Sequence, residues 1–419
     1  MSKVSIIGAS NTPFGAFVTR NKDTKEVTDT KSIYDLIVEA GRGAIADAGL
    51  DAKDIDAVWV GSCAPDMFTN QGHLAPVAAE IDPALRFKPM TRTEAACASS
   101  SVAIYDATYA LEAGRYRNVL AIGVEKMNLL DTKGVTHTLA TCSHWPTEGA
   151  KGMTFPGLFA AYAKGYQARW GLGDEELRRM LATVAALCYR NGVHNPLAHF
   201  GAGGPTDKAK LFTADAILAL PAEGKGSNPV IADPLRLHDC SLVSDGAAAV
   251  VLTTTENARA TGKKAVEIAG IGHSVERLPE NERPNLHELT AGKDAVRKAF
   301  AEAKISIKDV NFAEVHDCFT IAQILCTEAL GLSDDGRGGH DYLAGRYTAE
   351  DRCAINLSGG LKAKGHPVGA TGASMHALAY KQLVGEPIGV AAKSPEIGVT
   401  FNVGGSGVTN CVTVLRRVR

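Results

Sequence analysis

The 419-residue chain has no apolar run approaching the ~18 residues that cross a bilayer. No leader-like apolar stretch follows Met1, because a short strand-like run at 4–7 begins almost at once. Charge of either sign is not in excess. The 44 Lys and Arg against 46 Asp and Glu leave a formal net charge of −2. That excludes a general nucleic-acid or membrane-surface binder and leaves room for a local basic patch. The nine cysteines are scattered, odd in number and without a C-x-x-C pair, which argues against a disulfide framework and against a zinc ribbon. The expected compartment is a reducing cytoplasm, with most thiols acting as buried small hydrophobes. What the chain does have is 45% hydrophobic and 21% charged residues, the balance of a globular protein. Its length fits two or three domains at ~150 residues each.

Short apolar strands alternate with amphipathic helices. Residues 4–7, 55–60, 119–124 and 397–403 read as strands; 32–48, 99–113, 153–169, 174–188 and 321–330 read as helices. Fully apolar strands between helices predict α/β architecture with mostly parallel strands. The C-terminal part repeats the N-terminal part. Residues 44–56 (AIADAGLDAKDID) match 299–311 (AFAEAKISIKDVN) at an offset of 255, which sets Gly61-Ser62-Cys63 opposite His316-Asp317-Cys318. A period this long is a duplicated domain, not a solenoid. Between the halves, Gly, Pro, His and Trp become frequent, so residues 126–250 are expected to form an insertion over a site, flanked by halves at 1–125 and 251–419.

Four segments can carry chemistry. Cys97, in Thr93-Glu94-Ala95-Ala96-Cys97, stands at a helix entry, where free N–H groups and the helix dipole lower a thiol pKa. A buried structural cysteine fits the same segment. His316 and Cys318 follow an apolar strand, and two residues apart at a strand end both can reach one cavity. A satisfied core histidine is the alternative, and a metal pair lacks further ligands at useful spacing. His366 lies in Gly365-His366-Pro367-Val368-Gly369-Ala370-Thr371-Gly372, where glycines and proline hold one imidazole at a helix start. The turn Asn402-Val403-Gly404-Gly405 can bring backbone N–H groups to an oxyanion, or be a plain tight turn.

Taken together, these segments resemble the thiolase superfamily, in order and over essentially the whole chain. The subtype resembles the sterol-carrier-protein-type thiolases and related archaeal and bacterial acetyl-CoA acetyltransferases. The best-studied thiolases carry Asn-Glu-Ala-Phe where this chain has His316-Asp317-Cys318-Phe319, and a second cysteine where it has Asn402. The resemblance implies an α/β fold of two βαβαβαββ halves in a five-layered α-β-α-β-α core with an inserted loop domain. It implies acyl-CoA:acetyl-CoA C-acyltransfer through an acyl-cysteine. Cys97 would be the nucleophile, His366 the proton acceptor and Cys318 the α-proton acid/base. Oxyanion donors would be His316 and His366 at one hole, and the N–H groups of Cys97 and Gly404 at the other. Coenzyme A thioesters would be substrates, with no bound cofactor and no metal.

The CoA phosphates need basic partners, and Arg190, Lys208, Lys210 and Arg236 are the candidates, with Ser244 near the pantetheine arm. A homodimer or homotetramer is implied, and some relatives work with a small OB-fold, zinc-ribbon partner. The competing readings are a ketosynthase-like enzyme, a carbon–carbon lyase on the same fold, and a non-catalytic acyl-binding subunit.

Overall fold

The computed structural model describes residues 3–418 except 22 and 25, so the start at Met1 and Ser2 lies outside the described residues. Ten strands form one mixed sheet. The first half supplies β1 (Val4–Asn11), β2 (Ala57–Gly61), β3 (Met90–Thr93), β4 (Asn118–Glu125) and β5 (Gly246–Thr254). The second supplies β6 (Val266–Val275), β7 (Phe312–Val315), β8 (Ala354–Ile355), β9 (Ile397–Gly404) and β10 (Thr409–Arg417). Their order across the sheet is β8-β7-β9-β10-β6-β1-β5-β4-β2-β3, so the two halves mirror each other about the β1–β6 seam. That seam is three antiparallel residue pairs, Val4–Ile6 against Val266–Ile268.

Only β2 with β3 and β4, and β7 with β8 and β9, pair in parallel. The β1–β5, β1–β6, β6–β10, β9–β10 and β4–β5 pairings are antiparallel, which corrects the expectation of mostly parallel strands. A strand buried on both faces is apolar throughout whichever way it runs, so the pattern reports burial and not direction.

The helices that position the site are, in chain order, α1 (Ile33–Asp47), α2 (Ser99–Glu112), α3 (Thr132–Ala140), α4 (Phe155–Trp170), α5 (Asp174–Gly192), α6 (Thr290–Ala303), α7 (Thr320–Ala329), α8 (Gly360–Lys364) and α9 (Thr371–Leu383), and other short helices join them. A capping box between Ser32 and Asp35 starts α1, and its buried face carries Ile33, Leu36, Ile37, Ala40 and Ala44. Leu36 and Ile37 are fully buried, each worth roughly 1.5–3 kcal/mol relative to exposure.

α1 covers β1, β4 and β5, and α6 covers β6 and β10; α2 and α9 pack on each other between the half-sheets. This is the five-layered α-β-α-β-α arrangement. α2 and α9 cross closely at Gly372, where a Cβ would lie 2.3 Å from Ser101 Oγ. The duplication is visible in detail: 3-10 turns at Ala52–Asp54 and Ile307–Asp309 carry matching capping boxes from Asp51 and Ser306.

Residues 126–245 leave the sheet between β4 and β5. Within this excursion α4 and α5 pack against α7, and α5 against α8. Its return at 240–244 lies beside the loops that carry Cys318 and His366, with Ser241 N–H donating to Cys318 O at 2.8 Å and His366 N–H to Ser244 Oγ at 3.2 Å. Among the described residues no helix is long and apolar enough to cross a membrane.

Candidate active site

In α/β sheets a ligand crevice forms beyond the carboxyl ends of parallel strands. Here the chain leaves β2 at Gly61, β3 at Thr93, β7 at Val315 and β9 at Gly404; the segments bearing Cys97, His316–Cys318 and His366 follow β3, β7 and β8, whereas Asn402, Val403 and Gly404, expected in a turn, are the last residues of β9 and the turn begins at Gly405. Between them lies a cavity of about 540 Å³. Cys97, Cys318, His366 and Gly405 line it, with Cys63, Met127, Leu130, Val135, Leu139, Phe155, Phe319 and Val368 as largely apolar walls.

Cys97 sits in a one-turn 3-10 helix, Ala96–Ala98, immediately before α2. Ala96 has φ +50, a left-handed backbone that costs on the order of 1–3 kcal/mol for a residue with a Cβ. The turn is held by its neighbours. Ala96 N–H donates to Glu94 Oε1 at 2.5 Å, Ser99 Oγ accepts from Ala95 N–H at 3.0 Å and donates to Ala96 O at 2.6 Å. Below it, a Cβ on Gly404 would lie 2.3 Å from Ala95 O, so only glycine lets the β9 end support the turn. The backbone amides that reach the Cys97 sulfur are those of Gly405 and of Cys97 itself.

Burial pushes the Cys97 thiol well above its usual value, against the helix-start lowering expected from sequence; the Gly405 N–H opposes this only in part. Burial first, then the neighbouring Cys97, also raises Cys318. Both thiols rest protonated, so attack needs a base at the moment of reaction.

His366 fits that need. Its Nδ1 lies 2.7 Å from Thr371 Oγ, and that hydroxyl gives its only proton to Pro367 O at 3.0 Å. Thr371 therefore accepts from Nδ1–H, and Nε2 carries the lone pair. Burial, then the Lys364 ammonium, depresses His366 to about 3, so the imidazole is neutral. Burial, then His366 and Lys364, holds His316 well below the usual histidine range. The two rings meet edge to face with centroids 5.1 Å apart. His316 Nδ1 is 3.2 Å from Asn402 Nδ2, and its buried Nε2 has no protein partner. Cys97 Sγ and one ring nitrogen of each histidine lie within 4.8 Å of one another, the one such trio of ligating atoms among the described residues. Thiolate and imidazole are zinc-type donors, so these are the atoms that could hold a soft divalent ion.

The chain matches two family models, "Thiolase, N-terminal domain" over residues 4–256 and "Thiolase C-terminal domain-like" over 272–417. It belongs to the thiolase family. An acetyl-CoA acetyltransferase of Methanothermobacter thermautotrophicus is 36% identical over 417 residues, covering 100% of both chains. Human sterol carrier protein 2 is 28% identical over 391 residues, covering 90% of this chain and 67% of that one. Among solved structures, an Ltp2-ChsH2(DUF35) aldolase superposes with a TM-score of 0.80 at 19% identity, covering 100% of this chain and 98% of that one. Family membership makes this thiolase an acyltransferase-type enzyme.

The remaining expected site residues do not line the cavity. His316 and Gly404 are not lining residues of this cavity but adjoin it: His316 is fully buried with a ring nitrogen within 4.8 Å of Cys97 Sγ and of a ring nitrogen of His366, and Gly404 lines a neighbouring pocket with Gly405. Arg190, Lys208 and Lys210 are exposed away from the cavity; Lys210 is paired with Asp207 at 2.7 Å. Arg236 Nη1 donates to Asn228 O at 3.3 Å outside the cavity. Ser244 is buried behind His366, where its Oγ also meets His199 Nδ1 at 3.0 Å. The cavity's one lining Lys or Arg is Arg20, which donates to Asn128 O and Leu130 O at 2.8 and 2.7 Å. Sequence reading missed Arg20, and nothing in its local pattern marks it.

It also missed Glu125, although a lone carboxylate closing an apolar strand is a readable signal. Its Oε1 accepts from Ser62 Oγ (3.1 Å) and Ala64 N–H (3.4 Å), and its Oε2 from Cys63 N–H (2.7 Å) and Gly369 N–H (3.0 Å). It thereby ties the loop after β2 to the loop that carries His366. Burial pushes Glu125 up to about 7 despite these donors.

Proposed function

We propose that this chain is an acyl-CoA C-acyltransferase that joins or splits a 3-ketoacyl-CoA by a reversible Claisen step through an acyl-Cys97 intermediate. The observation that carries the reading is one apolar cavity lined by Cys97, Cys318 and His366, with the free Nε2 lone pair of a neutral imidazole on its wall. Cys97 sulfur attacks the thioester carbonyl as His366 Nε2 takes its proton. The tetrahedral oxyanion meets backbone N–H groups at the Cys97–Gly404–Gly405 turn, and coenzyme A thiolate leaves with the proton held by His366. The leaving thiolate takes the Cys318 proton, so coenzyme A departs as the thiol, and the Cys318 thiolate then takes an α-proton from a second acyl-CoA whose thioester oxygen is held by His316 Nε2–H and the protonated His366. The resulting carbanion attacks the acyl-cysteine, and the freed Cys97 thiolate takes its proton back from His366. Each oxyanion donor is worth ~3 kcal/mol.

Arg20 at the cavity supplies the positive charge for the CoA phosphates, in place of the cations expected from sequence. Coenzyme A is a substrate, and a homo-oligomer, with or without a DUF35-type partner, completes the reading. Labelled acetyl-CoA tests it. The protein should take up one acyl group per Cys97, not at all in Cys97→Ala, while Cys318→Ala should self-acylate and fail to condense. Absence of an acyl-enzyme with any acyl-CoA refutes the reading. The likeness to an aldolase favours carbon–carbon cleavage without acyl transfer as the second reading, and that outcome would leave Cys97→Ala active.

A further inference from the structure

We propose that Asn402 is a positioning residue that holds His316 with its proton on Nε2, so that the two histidines of the site face the substrate in opposite tautomers, His316 as donor and His366 as acceptor. The assignment follows from one amide. Asn402 Nδ2 lies 3.1 Å from Cys97 O, which can only accept, so this end of the side chain is the NH2 group. The other end, Oδ1, accepts from Ser101 Oγ at 2.8 Å, which agrees. The second hydrogen on Nδ2 points to His316 Nδ1 at 3.2 Å and needs a lone pair there. In a neutral imidazole the proton then sits on Nε2, the atom left buried without a protein partner. An unpaired buried N–H costs ~1–3 kcal/mol, and an arriving thioester oxygen relieves that cost. The use of this N–H in catalysis rests on the acyltransferase reading; the tautomer itself does not.

The same device disfavours a metal ion at the trio of Cys97, His316 and His366. Cys97, His316 and His366 lie within 4.8 Å, but a ring nitrogen that bears hydrogen cannot ligate. Asn402→Asp reverses the relation. A carboxylate only accepts, so it draws the proton to Nδ1, puts the lone pair on Nε2 and completes a carboxylate–histidine arrangement of the kind that supports zinc.

The test uses the resting protein without acyl-CoA, so its outcome is independent of the catalytic reading. Nitrogen NMR of ¹⁵N-histidine-labelled protein, with His316 assigned by its loss in His316→Gln, should show Nε2–H in the wild type and Nδ1–H in Asn402→Asp. Asn402→Asp should also bind one equivalent of Co²⁺ with a thiolate-to-cobalt band that the wild type lacks and that prior alkylation of Cys97 abolishes. Its turnover in metal-free buffer should fall by ~100- to 1000-fold, the loss of one oxyanion donor. An Nδ1–H tautomer in the wild type, an unchanged tautomer in Asn402→Asp, or equal Co²⁺ binding by both proteins overturns the proposal. The wild-type spectrum decides even if the variant does not fold.

Discussion

Replacing Thr371 by valine removes one oxygen from the site and almost no volume. That oxygen accepts from His366 Nδ1–H at 2.7 Å and is the reason Nε2 is free to act as a base. In Thr371→Val the Nδ1–H of a ring that is 6% exposed has no acceptor. An unsatisfied buried donor costs ~1–3 kcal/mol, and the ring escapes the cost by moving its proton to Nε2 or by turning. Either way the lone pair leaves Cys97. At 1.36 kcal/mol per tenfold in rate, acylation should slow by ~5- to 150-fold. Quenched-flow transfer of labelled acetyl groups from acetyl-CoA to Cys97 measures this step apart from condensation. Thr371→Ser, which keeps the hydroxyl and loses only the methyl, should recover most of the rate. If the valine variant acylates within ~2-fold of wild type, the hydroxyl does not set the tautomer. If the serine variant is as slow as the valine variant, packing and not hydrogen bonding is at work.

Gly404→Ala should lower both acylation rate and melting temperature, because the new methyl meets a backbone oxygen that cannot rotate away; overpacking of this kind costs ~1–3 kcal/mol. Unchanged kinetics would show that the turn under Cys97 is not supported from below. Glu125→Ala leaves four donors without their carboxylate, and calorimetry should find a loss of at least ~3 kcal/mol. Arg20→Met should raise KM for acyl-CoA by ~5-fold, the worth of an exposed charge near 1 kcal/mol, and weaken its salt dependence, whereas Arg190→Met should leave KM unchanged. Equal KM values in all three proteins would remove Arg20 from the binding of coenzyme A.

Much of this architecture is legible before any coordinates. Helix expected over 32–48 is found at Ile33–Asp47, and strand expected over 397–403 at Ile397–Gly404, because caps and apolar periods are local. The 255-residue offset aligns two capped 3-10 turns to the residue. Strand direction is not local, and so the antiparallel centre of the sheet escapes an apolar pattern. The thiol pKa went the wrong way for a related reason. The helix start at Cys97 is real, but burial, which depends on distant β9, outweighs it. Likewise Asn402 is readable only as part of a turn. Its meaning arises because α2 brings Ser101 and the Cys97 carbonyl to it, 301 and 305 residues away in sequence.

The mirrored sheet places the first strand of the chain at its centre. β1 pairs on one side with residues 248–254 and on the other with 266–268. During synthesis neither neighbour exists until more than half of the protein has been made. At ~5–20 residues per second, the ~240 residues that separate β1 from β5 take ~12–50 s, and for that time β1 carries two open edges. Folding of this chain is thus dominated by non-local pairing, so it should be slow for its size and dependent on shielding of the nascent N-terminus. A sheet that closes in the middle last is also one whose halves cannot mature separately, since the strand that starts the first half is completed by the second.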